Sequence, residues 1–165
     1  MNTYDDPYVL LFKIAWRGND KPQRYNEAGG HIDNNEDAYT AAKRETFEES
    51  AGTININNIN LRKCQRVELN SYVAYCIHLT GVKFDKLYKL YHANHNRYAE
   101  NPKDNKHYIE TNDIIILPFR ELSKHYKTIR ERTRRLLFQL NDDNLRAIYK
   151  SKHKYTKQGN TYVFK

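Results

Sequence analysis

The sequence predicts an α+β fold in a single domain, residues 1–165, with a mixed central sheet flanked by helices. Apolar and aromatic runs of strand character occur at 8–16, 59–69, 71–80 and 110–119. Helical patterning occupies 37–49 and 128–140. A length of 165 residues suits one core rather than two. Hydrophobic residues at 39% and charged residues at 29% give the balance of a soluble globular protein.

The elements follow in order. Residues 8–16 (YVLLFKIAW) are apolar enough for a central strand, and Asp20, Lys21 and Pro22 break it into a charged loop. A helix over 37–49 packs through Ala38, Ala41 and Ala42, and Gly52 is placed to end it. Two strand-like runs, 59–69 and 71–80, join at Asn70 and Ser71 and continue the sheet that carries this helix. The second run alternates Val73, Tyr75, Ile77 and Leu79 on one face. Residues 83–107 are the least regular part, with Leu87, Leu90 and Tyr91 marking a short helix. Ile114, Ile115 and Ile116 form a buried strand that Pro118 ends. Over 128–140, Ile129, Leu136, Leu137 and Leu140 make a packing stripe. Asn141 caps a further short helix through Leu145, Ile148 and Tyr149, and TYVFK at the end reads as an edge strand.

No apolar run approaches the roughly 20 residues of a membrane span. The N-terminal stretch has acids before its apolar run and no small-residue cleavage site, so it is not read as a secretory signal. The hairpin register places Cys64 and Cys76 on opposite faces, which predicts no disulfide and a cytoplasmic location.

Residues 29–52 (GGHIDNNEDAYTAAKRETFEESAG) carry the chemistry. On a helix Glu45, Glu48 and Glu49 fall at i, i+3 and i+4, on one face. Like charges so placed repel unless cations neutralise them, and oxygen-only ligands of high charge suit a hard divalent ion. Gly29 and Gly30 allow backbone to come close to a ligand or metal just ahead of the helix. A solvated acidic surface helix accounts for the composition, but not for the unrelieved pair Glu45 and Glu49 or for the glycines at that offset.

From Gly30 there are five residues to Glu36, seven more to Arg44 and Glu45, then Glu48, Glu49 and a glycine. This stretch resembles the Nudix box, Gly-x5-Glu-x7-Arg-Glu-U-x-Glu-Glu-x-Gly-U, where U is aliphatic. Thr46 stands at an aliphatic position, and Ser50 with Ala51 fills a gap normally one residue long, so Gly52 comes one position late. Ala28 stands where the family often has proline. The resemblance implies an α/β/α sandwich, with the box helix and C-terminal helices on a mixed sheet and an extended segment 24–28 leading into the glycines. It implies Mg²⁺ as cofactor, with Mn²⁺ as a substitute, held by Glu45, Glu48, Glu49 and the Gly30 carbonyl. Glu45 is then best placed to activate water, and Arg44 to orient a carboxylate. Glu36 is structural, at the positive end of the helix dipole. Some members carry an extra glutamate before a later strand; Glu110 is the candidate for that base and Glu100 the reserve.

The reaction so implied is hydrolysis of a diphosphate linkage in a nucleoside-diphosphate-X type substrate. Basic members of the family include mRNA-decapping enzymes and diphosphoinositol polyphosphate hydrolases, and others cleave dinucleoside polyphosphates. The net charge of +8 arises despite an acidic box, and 120–154 alone carries eleven Lys/Arg against four Asp/Glu. Such a segment is a surface for RNA or another polyanion, or a solvated basic helix. With fourteen tyrosines, the charge favours 5′-capped RNA as substrate. The other class left open is a non-catalytic Nudix-fold module that binds RNA or a nucleotide. Arg24 and Tyr25, with Trp16 and Arg17, are candidate substrate contacts, as are Tyr88, Tyr91 and Arg97 for base stacking and phosphate. His92, His95 and His107 lack zinc-site spacing.

Overall fold

The computed structural model describes residues 7–15 and 24–165, and it is a mixed helix-and-sheet protein. Trp16, Arg17 and the 20–22 loop lie outside the described residues.

Strand β1 (Tyr8–Ile14) has the aliphatic and aromatic content of a strand, and its Leu11 and Phe12 are buried. Strand β2 (Tyr25–Asn26) is the extended lead to the glycine pair. Helix α1 (Ala38–Glu49) starts where Asp37 accepts from the Thr40 amide at 2.7 Å. Strand β3 (Ile54–Asn55) and a 3-10 turn at Leu61–Lys63 follow. The hairpin β4 (Gln65–Leu69) and β5 (Tyr72–Cys76) turns at Asn70, which takes φ +55°, a conformation asparagine tolerates. Strand β6 (His78–Leu79) precedes helix α2 (Phe84–Ala99). Strand β7 (Thr111–Pro118) buries Ile114. Helix α3 (Glu131–Leu137) and helix α4 (Asp142–Lys150) come next, the latter opened by a reciprocal cap between Asn141 and Asn144. Strands β8 (Lys152–His153), β9 (Tyr155–Gln158) and β10 (Thr161–Phe164) end the chain.

The sheet differs from expectation. Instead of one mixed central sheet, the described strands form four small ones: β2-β1-β7, β3-β10-β9, β4-β5 and β6-β8. Pairing is antiparallel except for β3 with β10 and β6 with β8. The 71–80 run divides because β5 pairs with β4 whereas β6 pairs with β8. The terminal TYVF segment is no edge: β10 lies between β3 and β9 and buries Tyr162, Val163 and Phe164. The 128–140 helix starts only at Glu131, since Ile129 instead bridges Tyr25 and is fully buried. Cys64 and Cys76 are free thiols; Cys64 stands just before β4, whose Gln65 pairs with Cys76, and burial pushes the Cys76 thiol up to about 11.

The largest correction is α2. In place of a short helix there are sixteen helical residues, running well past Tyr91. Leu87, Tyr91 and Asn94 are buried along one face, and Leu90 and Tyr98 pack beside them. Its stripe mixes tyrosine and asparagine with leucine, which weakens the apolar periodicity that a sequence displays. The main core joins Phe12, Ile54, Ile56, Ile59, Tyr91, Ile114 and Phe164, so it holds α1, α2 and β10 together. Among the described residues no helix is long and apolar enough to cross a membrane.

Candidate active site

Three of the box glutamates, Glu36, Glu45 and Glu48, are held by one arginine. Arg44 grips Glu36 with both arms of its fork, Nε to Oε1 at 2.8 Å and Nη2 to Oε2 at 3.0 Å. Its Nη1 donates to Glu45 Oε1 at 2.9 Å and to Glu48 Oε2 at 3.0 Å. Nη2 also reaches the His31 carbonyl at 3.1 Å, which ties the loop after the glycines to the helix. Glu36 sits just before the cap and accepts the Asp33 amide as well, so its role is structural; Arg44 and that amide hold its carboxyl below the usual range.

Glu45 and Glu49 are buried, one turn apart. Glu49 Oε2 accepts the Gly29 amide at 3.1 Å, and no Lys or Arg pairs with it among the described residues. Burial, then the charges of Glu45, Glu110 and Glu27, push the Glu49 carboxyl up to about 8 against the pull of the Gly29 amide. Burial also raises Glu45, partly offset by Arg44. The glycine pair lets the backbone approach closely. A Cβ on Gly30 would lie 2.7 Å from Glu45 Cδ, and one on Gly29 would run into the Tyr72 hydroxyl.

The late Gly52 has a local explanation. Helix α1 ends in a Schellman arrangement, with Gly52 N–H donating to Phe47 O at 2.8 Å and Ala51 N–H to Glu48 O at 3.0 Å. Ala51 takes φ +50° and Gly52 φ +69°, so two residues turn left-handed where one would serve. The extra residue is absorbed after Glu49, and the spacing of the acids is untouched. Thr46 meets its hydroxyl requirement by donating to the Ala42 carbonyl at 2.7 Å.

A divalent cation is the group that the box resemblance implies, and the donors suit one in kind. Glu49 is a buried carboxylate without a counter-ion, and Glu27, Glu45 and Glu110 each add negative potential there. In arrangement the site is not a closed cage. Among the described residues no three His, Cys, Asp or Glu side chains converge as a metal-holding group. Arg44 occupies Glu45 and Glu48 in the role of counter-cation. The expected set Gly30, Glu45, Glu48 and Glu49 is therefore brought together around Arg44 and Gly29, not already gathered on a common point.

The remaining expected residues divide. Glu110 ends a 3-10 turn, half-exposed, 3.1 Å from His107 Nδ1, and its charge is felt at both Glu45 and Glu49. Glu100 is an exposed residue at the end of α2. Tyr25 donates to Asp113 Oδ2 at 2.5 Å, with His92 Nε2 3.3 Å from the other oxygen. Arg24 beside it is exposed. Tyr88 is exposed and its ring lies tilted against His92, centroids 4.3 Å apart. Arg97 lies over the Tyr98 ring at 5.1 Å. Tyr91 offers no surface for a substrate: it is fully buried and its hydroxyl bonds Thr111 Oγ1 at 2.7 Å. Thr111 in turn donates to the Glu49 carbonyl at 2.5 Å, so Tyr91 braces the end of α1 from within the core.

Sequence reasoning passed over Glu27, Tyr72 and Arg132. Glu27 Oε1 lies 3.1 Å from both Nε and Nη2 of Arg132, Thr133 donates to Oε2, and Arg132 stacks 4.0 Å over the Tyr72 ring. An acid two residues before the glycine pair was the available signal. A cavity of about 880 Å³ is lined by Glu27, Gly29, Gly30, Glu45, Tyr72 and Arg132 among others, a size suited to a small organic ligand. No family model matches the chain, and no curated protein or solved structure matches it.

Proposed function

We propose that the chain is a Nudix-type hydrolase that uses Mg²⁺, or Mn²⁺ in its place, to cleave a diphosphate linkage, and that its substrate is the 5′ cap of mRNA in the cytoplasm. One observation carries the reading: Glu45, Glu48 and Glu49 share a helix face against which the glycine pair packs closely, the Gly29 amide bonding Glu49 and Gly30 lying against the Glu45 carboxylate. A divalent ion at that face would neutralise the diphosphate and lower the pKa of a water. Glu45 and Glu49 supply carboxylates whose pKa values burial raises; Glu45 is partly compensated by Arg44, whereas no Lys or Arg among the described residues pairs with Glu49. Glu45 lines the cavity and is placed to accept a proton there, with Glu110 adding negative potential from the start of β7. Arg44 holds Glu45 and Glu48 in register until a cation takes its place. The +8 net charge and the basic 120–154 segment support an RNA-borne substrate.

The engagement of Arg44 with Glu45 and Glu48 favours one second reading, a Nudix-fold module that binds RNA or a nucleotide without turnover. Incubation with Mg²⁺ and a panel of capped RNA, a diphosphoinositol polyphosphate, a diadenosine polyphosphate and ADP-ribose separates the two. Release of m7GDP, abolished by Glu48→Gln, supports decapping. Orthophosphate from the inositol compound, or cleavage of the dinucleotide, assigns one of those hydrolase activities instead. Tight binding with no product from any of the four establishes the module.

A further inference from the structure

The cavity beside the box helix carries a second charged feature that the hydrolase reading leaves unassigned. Arg132 and Arg135 lie one turn apart on α3, and both line the cavity that Gly30 and Glu45 also line. Like charges at that spacing are unfavourable by themselves. Arg132 has a structural explanation in Glu27, which holds its Nε and Nη2 arms and leaves Nη1 outside the pair. The Tyr72 ring backs the guanidinium at 4.0 Å, and the Tyr72 hydroxyl packs against Gly29. The fork is thus fixed before any ligand arrives, which removes most of the ordering cost of using it. Arg135 has no such explanation. It is exposed, and among the described residues no acid pairs with it.

We propose that Arg132 and Arg135 form an anion-holding pair that grips a phosphoryl group of the cavity's ligand, with Glu27 and Tyr72 as positioning residues for Arg132. The ligand class is a nucleoside polyphosphate or a close analogue. Its linked phosphoryl groups extend from the arginine pair to the Gly30 and Glu45 end of the cavity. The ligand class rests on the diphosphate reading; the arginine pair itself rests on the geometry of α3, Glu27 and Tyr72.

Calorimetric titration with inorganic pyrophosphate and with ADP, in Mg²⁺ and again in EDTA, tests the pair without requiring turnover. Arg135→Gln, which breaks no pairing, is expected to weaken both probes by about tenfold or more, the scale of a lost charge-assisted hydrogen bond. Arg132→Lys keeps a cation for Glu27 but loses the fork, and is expected to weaken them similarly. Arg146→Gln, on α4 beside Asp143, is expected to bind as the unaltered protein does. Unchanged affinity in both Arg135→Gln and Arg132→Lys, each melting normally, overturns the proposal, as does an unaltered protein that binds neither probe. A protein that grips pyrophosphate through these arginines yet hydrolyses no member of the substrate panel sinks the hydrolase reading and leaves the anion pair standing.

Discussion

The Gly29 amide and the Glu49 carboxylate meet at 3.1 Å across twenty residues of chain, which places the start of the box against its last acid. Among the described residues this is the one hydrogen bond to the Glu49 carboxylate, which also feels the charges of Glu45, Glu110 and Glu27. Burial and these neighbouring charges hold the Glu49 carboxyl well above the usual carboxylate range.

A pH dependence follows. Glu49 titrates near 8 in the folded chain against an ordinary 4.5. The folded state therefore binds the proton more tightly than the unfolded one. Its stabilising effect is fully present below about pH 4.5 and is lost as pH rises towards 8. The total is on the order of 5 kcal/mol, at about 1.4 kcal/mol per unit. Denaturant melts between pH 5 and 9 in EDTA should show this decline, and Glu49→Gln should flatten it. A slope unchanged in Glu49→Gln assigns the decline to other groups.

Mg²⁺ should reverse that loss. An ion that binds the ionised carboxylates stabilises the fold by about 2.7 kcal/mol at a hundred times its dissociation constant. The rise in melting temperature should be larger at pH 8 than at pH 6, and chelation should abolish it. Equal shifts at both pH values would place the ion elsewhere.

Gly30→Ala tests the close approach. Its Cβ would fall against the Glu45 carboxylate, so the loop or the side chain must move, at a cost of about 1–3 kcal/mol. Weaker Mg²⁺ binding together with lower denaturation midpoints is the expected pair of results.

The helix ending makes a separate prediction. Gly52 has φ +69°, and a Cβ there would lie 3.1 Å from the Tyr98 hydroxyl. Gly52→Ala should destabilise by about 1–2 kcal/mol, read from denaturant unfolding, with the affinity for Mg²⁺ retained because the acids lie upstream.

Tyr91 decides between a core residue and a base platform. Tyr91→Phe removes one buried hydrogen bond to Thr111 and should cost about 1 kcal/mol. With any substrate the panel identifies, KM should stay unchanged; a raised KM would return Tyr91 to the binding surface.

Local signals made part of this molecule legible from its residues. Three acids at helical spacing, Asn70 at the hairpin turn and the Asn141 cap all act within a few residues, and all three stand where the sequence puts them, while the helix expected from Asp37 begins at Ala38 with Asp37 as its cap. Long-range partners decided the rest. The full length of α2 depends on burying Tyr91 and Asn94 against β7, β10 and Thr53, which no local periodicity of tyrosine and asparagine announces. The last strand is central because β3 and β9 both come to it from elsewhere in the chain. At the site, sequence alone supplied the carboxylates and their common face. Arg44, one and four residues from two of those acids, was also legible there. Only the folded chain set Glu27 against Arg132 across more than a hundred residues, because an ion pair so distant in sequence leaves no pattern along the chain.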